Sequence, residues 1–143
     1  MLQKQKQVYE LFDHTSDLGV IVRGKNLMEL FQNSALAVLD IMSGSVPYGN
    51  SIVLSVNLQA ENFELLLRDW LAELIFLSND KKILFNSFNF QHLDQHSIKA
   101  DLIGVACSSD FFSVKKEIKA VTYHQLKIQH SKSGYTARFV LDI

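Results

Sequence analysis

The chain has 143 residues, which fits one compact domain of the common size of about 100 to 150 residues. With 48% hydrophobic and 20% charged residues, six glycines and one proline, it is too apolar for a disordered chain and too poor in Gly and Pro for a collagenous or low-complexity one. Fourteen Lys and Arg against fifteen Asp and Glu leave a net charge of −1, which excludes the global basic excess of a nucleic-acid binder but not a local patch. Cys107 is the only cysteine, so neither an intrachain disulfide nor a cysteine zinc cluster can form. Residues 1–7 are polar, read as a flexible lead and carry no apolar core of a secretory signal. No apolar run reaches the roughly 18 residues of a membrane span. The expectation is a single soluble, cytoplasmic domain over residues 1–143.

In chain order, Val8 to Asp13 reads as a short strand and Leu18 to Arg23 as a second, covered on both faces. The polar connection His14-Thr15-Ser16-Asp17 is too short for anything but a tight link. Leu27, Leu30, Phe31, Ser34, Ala35, Val38, Leu39 and Met42 then form a stripe at helical spacing. Asn26 caps that helix with Glu29 reaching back three residues later, and Gly44 and Pro47 end it. Ser51 to Leu58 alternates as a strand, with Ile52, Leu54, Val56 and Leu58 on one face. A second helical stripe runs through Phe63, Leu66, Leu67, Trp70, Leu71, Leu74 and Ile75, with Asn62 as its cap. Each large side chain in such a stripe gains about 2 kcal/mol on burial, so both helices must dock on an apolar surface.

Beyond the second helix the period is two. Ile83 to Phe90, Ser97 to Cys107, Ala120 to Gln129 and Tyr135 to Ile143 read as strands. Asn79-Asp80, Leu93-Asp94-Gln95 and Ser131 to Gly134 break the pattern as turns, and Ser109 to Ile118 reads equally as loop or strand. The order is ββαβα followed by β strands. Helices confined to the first half and short links afterwards predict an α+β fold, two helices packed on a mainly antiparallel sheet.

Two places hold chemistry. Asp13, His14, Thr15, Ser16 and Asp17 put two carboxylates, two hydroxyls and an imidazole into five residues. Two readings stand: ligands of a hard cation or an acid/base pair, or a turn whose side chains satisfy free backbone N–H groups. Asp142 closes an apolar strand in which Ala137, Phe139, Leu141 and Ile143 face one way and Thr136, Arg138, Val140 and Asp142 the other. A carboxylate there is costly unless paired or metal-bound, and Ile143 adds a second carboxylate one residue on, so the two repel unless a cation lies between them. The competing reading is a frayed, solvated end.

Other candidates are weaker. Thr122 and His124 fall on one face of a strand beginning at Lys119, with Val121 and Tyr123 on the other, and His124 reads as a core histidine. His92 and His96 flank a turn and read as surface residues. Cys107, Ser108 and Ser109 lack any nucleophile signature, and there is no P-loop or GxGxxG.

The strings "FDHTSDLGVIVRG", "LLLRDWLAELIF", "IKAVTYHQL" and the terminal "FVLDI", in this order and spacing, resemble the archease family of tRNA-splicing proteins, from about Tyr9 to Ile143. Ser16 stands where that family usually has Ala, and Leu18 where Ile is common. The resemblance implies a small α+β accessory protein without independent enzymatic activity. Archeases assist the RNA ligase RtcB, promoting guanylylation of its active-site histidine and multiple turnover, with RNA met only through the ligase. It also implies a divalent cation held by Asp17, Asp142 and Ile143, with Asp13, His14, Lys119, Thr122 and His124 behind those ligands or on the docking surface. An all-oxygen set of this kind suits Ca²⁺, Mg²⁺ or Mn²⁺ rather than zinc. From the residues alone, a metal-dependent phosphoester hydrolase and a chaperone-like interaction protein with an incidental acidic site stand beside this function.

Overall fold

The structure, a computed structural model, describes residues 8–14, 17–43, 46–110 and 116–143, apart from the side chains of Asp13 and His14. The polar lead at 1–7, the Thr15-Ser16 pair, Gly44 and the middle of the ambiguous 109–118 stretch lie outside the described residues. The elements, in chain order, are β1 (Tyr9–His14), β2 (Asp17–Gly24), α1 (Leu27–Met42), β3 (Ser51–Gln59), α2 (Phe63–Lys81), β4 (Ile83–Leu93), β5 (Ser97–Ala106), β6 (Ala120–Val121), β7 (Lys127–Ser131) and β8 (Gly134–Asp142). The fold is α+β as expected, and the strand pairs among the described residues are all antiparallel. The strands divide between two sheets. One runs β1-β2-β8-β6 with β7 also paired to β8, and the other runs β3-β5-β4.

Both helices start where the sequence places a cap. The Asn26 side chain accepts from the Glu29 N–H (2.8 Å), and the Glu29 carboxylate accepts from the Lys25 N–H (2.9 Å), one residue before the cap. The Asn62 side chain accepts from the Leu65 N–H at 2.9 Å. The second helix does not stop at Asn79-Asp80 as expected but runs to Lys81. Lys82 takes the left-handed conformation that ends it (φ 54°), and the buried Ser78 hydroxyl donates to the Ile83 carbonyl at 2.6 Å.

The helices lie between the sheets. α1 packs on β2, β8 and β4, whereas α2 packs on β3, β4 and β5 from one side and on β6 and β7 from the other. Val20, Val22, Ala137, Phe139 and Leu141 from the first sheet meet Leu30, Phe31, Val38, Leu66 and Leu74, which meet Phe85, Ile98 and Leu102 of the second. Trp70 is fully buried, donates its indole N–H to the Phe31 carbonyl at 3.1 Å, and lies against Phe88 and Phe90.

The second strand is covered less than its apolar run suggested: Ile21 is half-buried and Arg23 exposed, because among the described residues no helix covers that face of the first sheet. The 120–129 strand is also interrupted. β6 ends at Val121, Gln125 has φ 54°, and pairing with β8 resumes only at Lys127.

The β7–β8 turn closes through Gly134, at φ +128°, where an added Cβ would lie 2.5 Å from the Gly24 carbonyl oxygen. Gly134→Ala is therefore expected to cost about 1–3 kcal/mol, read as a lower urea midpoint at unchanged slope. At the other edge of the sheet, the Tyr9 hydroxyl donates to the Asp40 carboxylate. Burial, then that bond and the Asp40 charge, push the phenol up to about 12 from 10.0. A raised folded-state value stabilises fully below the unfolded value and is lost as pH rises through the folded one. Wild type is thus expected to lose an increment of stability between pH 10 and about 12 that Tyr9→Phe lacks, measured by urea unfolding across that range.

Candidate functional site

Strand alternation sets the site. In β8, Ala137, Phe139 and Leu141 are buried against the helices, so Asp142 faces away from them and is half-buried. In β2, Val20 and Val22 are buried in the same way, and Asp17, Gly19, Ile21 and Arg23 take the opposite face. The two strands are in register with Asp17 directly opposite Asp142. Residues so paired have Cα atoms about 4.5–5.5 Å apart. The row continues on both sides, with His14 opposite Asp17 and Ala120 opposite Asp142. It therefore crosses four strands and joins the early acidic turn to the end of the chain.

The surroundings fix Asp142 more firmly than a frayed end would be fixed. The Lys119 N–H donates to the Asp142 carbonyl at 2.7 Å. Ile143, one residue on, is half-buried and packs on the core. The Thr122 N–H and hydroxyl both donate to the Val140 carbonyl at 3.0 Å, and the Thr122 hydroxyl accepts from the His124 N–H at 3.2 Å. Thr122 and His124 do not share a strand face as expected. Thr122 follows the last residue of β6, and His124 is an exposed turn residue rather than a core histidine. The turn closes because the Thr122 hydroxyl takes up its backbone N–H. Asp13 lies opposite Leu18 in β1, and the side chains of Asp13 and His14 lie outside the described residues.

Two carboxylates directly opposite on adjacent strands destabilise the sheet unless a cation compensates them. Among the described residues Asp142 forms no ion pair, and the exposed Lys119 does not supply one. Nor do any three His, Cys, Asp or Glu side chains among those residues converge into a metal cluster. The register brings Asp17 and Asp142 together, and Ile143 follows one residue on. Carboxylate oxygens suit a hard divalent cation, and His14, opposite Asp17 in the same row, has its side chain outside the described residues.

Beside the row, α2 and the 118–121 stretch enclose a cleft of about 460 Å³ lined by Arg68, Ile75, Phe76, Ile118, Lys119 and Val121 among others. Arg68 went unnoticed in the sequence. Its Nε–H donates to the Val121 carbonyl at 3.0 Å, and its guanidinium lies 4.6 Å from the centre of the Tyr123 ring. The one available signal was a cation interrupting the apolar stripe between Leu67 and Trp70. Phe76 and Tyr123 are both largely exposed.

The weaker candidates resolve as surface or inert groups. His92 and His96 bracket Asp94, whose carboxylate accepts from the His96 and Ser97 N–H groups at 2.8 and 2.9 Å and contacts His92 Nε2 at 2.8 Å. The His96 N–H above all, then His92, holds Asp94 down to about 2. Cys107 is half-buried with its thiol donating to the Val105 carbonyl (3.5 Å), and burial raises its pKa, the reverse of what a thiolate nucleophile requires.

Comparison with known proteins gives a consistent picture. The model of the Archease protein family (MTH1598/TM1083) matches residues 9–143. Protein archease of Methanosarcina barkeri is 32% identical over 146 residues, covering 99% of this chain and 100% of that protein. Protein archease of Sulfurisphaera tokodaii is 31% identical, covering 96% and 99%. The solution structure of Methanobacterium thermoautotrophicum protein 1598 superposes with a TM-score of 0.73 at 28% identity, over 96% of this chain and 99% of that one. The crystal structure of a Thermotoga maritima archease, described as a possible chaperone, has the same fold, with a TM-score of 0.66 at 19% identity over 94% and 96%.

Proposed function

Because the chain belongs to the archease family, we propose that it is an accessory protein of an RtcB-type RNA ligase, promoting guanylylation of the ligase histidine and multiple turnover without an activity of its own. The observation that supports this reading best is the register that sets Asp17 opposite Asp142. Asp17, Asp142 and the main-chain oxygen of Ile143 would hold a divalent cation. Once bound, a Ca²⁺, Mg²⁺ or Mn²⁺ ion there supplies charge neutralisation for phosphate oxygens.

The chain's own residues do the positioning. The β2–β8 ladder holds the two carboxylates at fixed separation, the Lys119 N–H anchors the Asp142 main chain, and the Thr122 hydroxyl anchors the strand two residues earlier. Such backbone support keeps the carboxylates aimed without side-chain reorganisation when a partner arrives. Lys119, Thr122 and His124 lie next to the row or along the following turn. Together with the cleft beside Arg68, they make this end of the molecule the docking side.

The test is co-incubation of an RtcB ligase with GTP and a divalent cation, measuring the ligase–guanylate adduct with and without this protein. A rise in adduct and repeated turnover are expected. No rise overturns the reading, and turnover of a phosphoester by the isolated protein replaces it with a hydrolase.

A further inference from the structure

The second sheet ends on β3, a nine-residue strand of sequence SIVLSVNLQ whose strand partner among the described residues is β5 alone. Its other edge takes no backbone hydrogen bond from any turn or loop among those residues. Folded proteins blunt such edges with charge, proline, bulges or shortness, because unpaired N–H and C=O groups recruit another strand. The other edges of this molecule follow that rule. β4 has register shifts at Phe85/Ser87 and Phe90/His92 and lies against α1. β1 carries the Glu10–Arg23 ion pair, and β6 and β7 have two and five residues. β3 has none of these devices: it pairs with β5 over its whole length without a shift, and it contains neither a charge nor a proline.

Its side chains are also incompletely covered. On the helix side Ile52, Leu54 and Leu58 are half-buried, whereas Ile98 and Leu102, opposite Leu58 and Leu54 on the central β5, are fully buried. On the outer side Val53 is 55% exposed beside the half-buried Ile103. Apolar groups left open along an unpaired backbone edge suit the addition of a strand.

The symmetry of β3 selects which strand. Antiparallel pairing with its own copy, about a two-fold axis at Ser55, sets Ile52 against Leu58 and Leu54 against Val56 on the helix side. On the outer side Ser55 meets its own copy and Val53 meets Asn57. All nine residues are then paired, apolar groups meet apolar groups on the covered face, and no charge meets a like charge. We infer that the chain forms a two-fold dimer through β3, its two three-stranded sheets joined into one of six strands. The Asp17–Asp142 row belongs to the other sheet and stays open in both copies. Nine residues a side is well below the roughly 20–30 of a standard interface, so the dimer is transient, half-formed near about 100 µM.

The experiment is sedimentation velocity of the full chain from about 5 to 500 µM, over which the sedimentation coefficient should rise from the monomer toward the dimer. Ser55→Lys should raise the dimer dissociation constant about tenfold or more, because it sets two ammonium groups opposite each other on the axis. Its melting temperature at low concentration should not fall, since within its own chain the new cation faces Asp101. A cross-link fixes the axis. In a Cys107→Ala background, Ser55→Cys should oxidise to a covalent dimer, because paired strand residues lie about 4.5–5.5 Å apart between Cα atoms, within disulfide range. Gln59→Cys, which the axis places about 27 Å from its copy, should not. A monomer at every concentration, an unchanged dissociation constant in Ser55→Lys, or equal cross-linking of both cysteine variants overturns the inference. If wild type stays monomeric while Ser55→Lys loses association with the ligase, the edge is a ligase contact and the inference also fails.

Discussion

Asp142→Asn is expected to remove the stimulation of ligase guanylylation, by about 10²-fold or more in adduct formed per unit time, while leaving the fold standing. Asn has nearly the same shape, and the strand there is held by main-chain bonds from Lys119 and Thr122 that the substitution does not touch. Without a divalent cation the variant should melt at or slightly above the wild-type temperature, since it removes one of two like charges facing each other across the ladder. The cation then separates the two proteins. At a concentration 100 times its dissociation constant, a ligand bound only by the folded state stabilises it by about 2.7 kcal/mol. Wild type should show that shift in melting temperature and Asp142→Asn should not.

Asp17→Asn should behave in the same way, and the double variant should be no worse than either single one, because the two carboxylates act as a unit. Stimulation retained in Asp142→Asn, or an equal thermal shift in variant and wild type, would place the cation elsewhere. If stimulation survives both substitutions, the acidic row is incidental and a chaperone-like role of the kind named for the Thermotoga maritima relative takes precedence.

Trp70→Ala has the largest expected effect on stability, about 3–5 kcal/mol. The indole is fully buried, joins the two helices through the Phe31 carbonyl, and fills the space against Phe88 and Phe90 of the second sheet. A domain of this size is typically stable by only about 5–15 kcal/mol, so the loss is a large fraction of the whole. Urea unfolding should show a much lower midpoint, and ligase stimulation should fall with the folded fraction. Trp70→Phe, which keeps an aromatic ring and drops the N–H, is expected to recover most of the difference. A midpoint for Trp70→Ala within about 1 kcal/mol of wild type would mean that the core collapses to fill the cavity.

Local structure was legible in the sequence wherever one element decides it alone. The stripes from Leu27 to Met42 and from Phe63 to Ile75, the Asn26 and Asn62 caps and the alternation of β8 all follow from periodicity and capping chemistry, and the structure has them. Asp142 was recognisable as a costly carboxylate for the same reason. Pairing between distant strands was not legible, because no local period encodes it. That Asp17 faces Asp142 emerged from the family resemblance and from the fold, not from spacing. The division into two sheets was hidden similarly, since β3, β4 and β5 have the same period as β2 and β8. The turn at Thr122–Gln125 was missed because a side-chain hydroxyl and one left-handed residue break a strand that reads as continuous.

The position of β8, inserted between β2 and β6 near the end of the chain, has a consequence for synthesis. β2 (Asp17–Gly24) cannot complete its pairing until β8 (Gly134–Asp142) has left the ribosome, and contacts of such long range form slowly. A nascent chain can assemble the β3–β4–β5 layer on the helices early, yet it has no facing carboxylates until the final strand arrives. Chains released before β8 is made therefore lack the facing pair altogether.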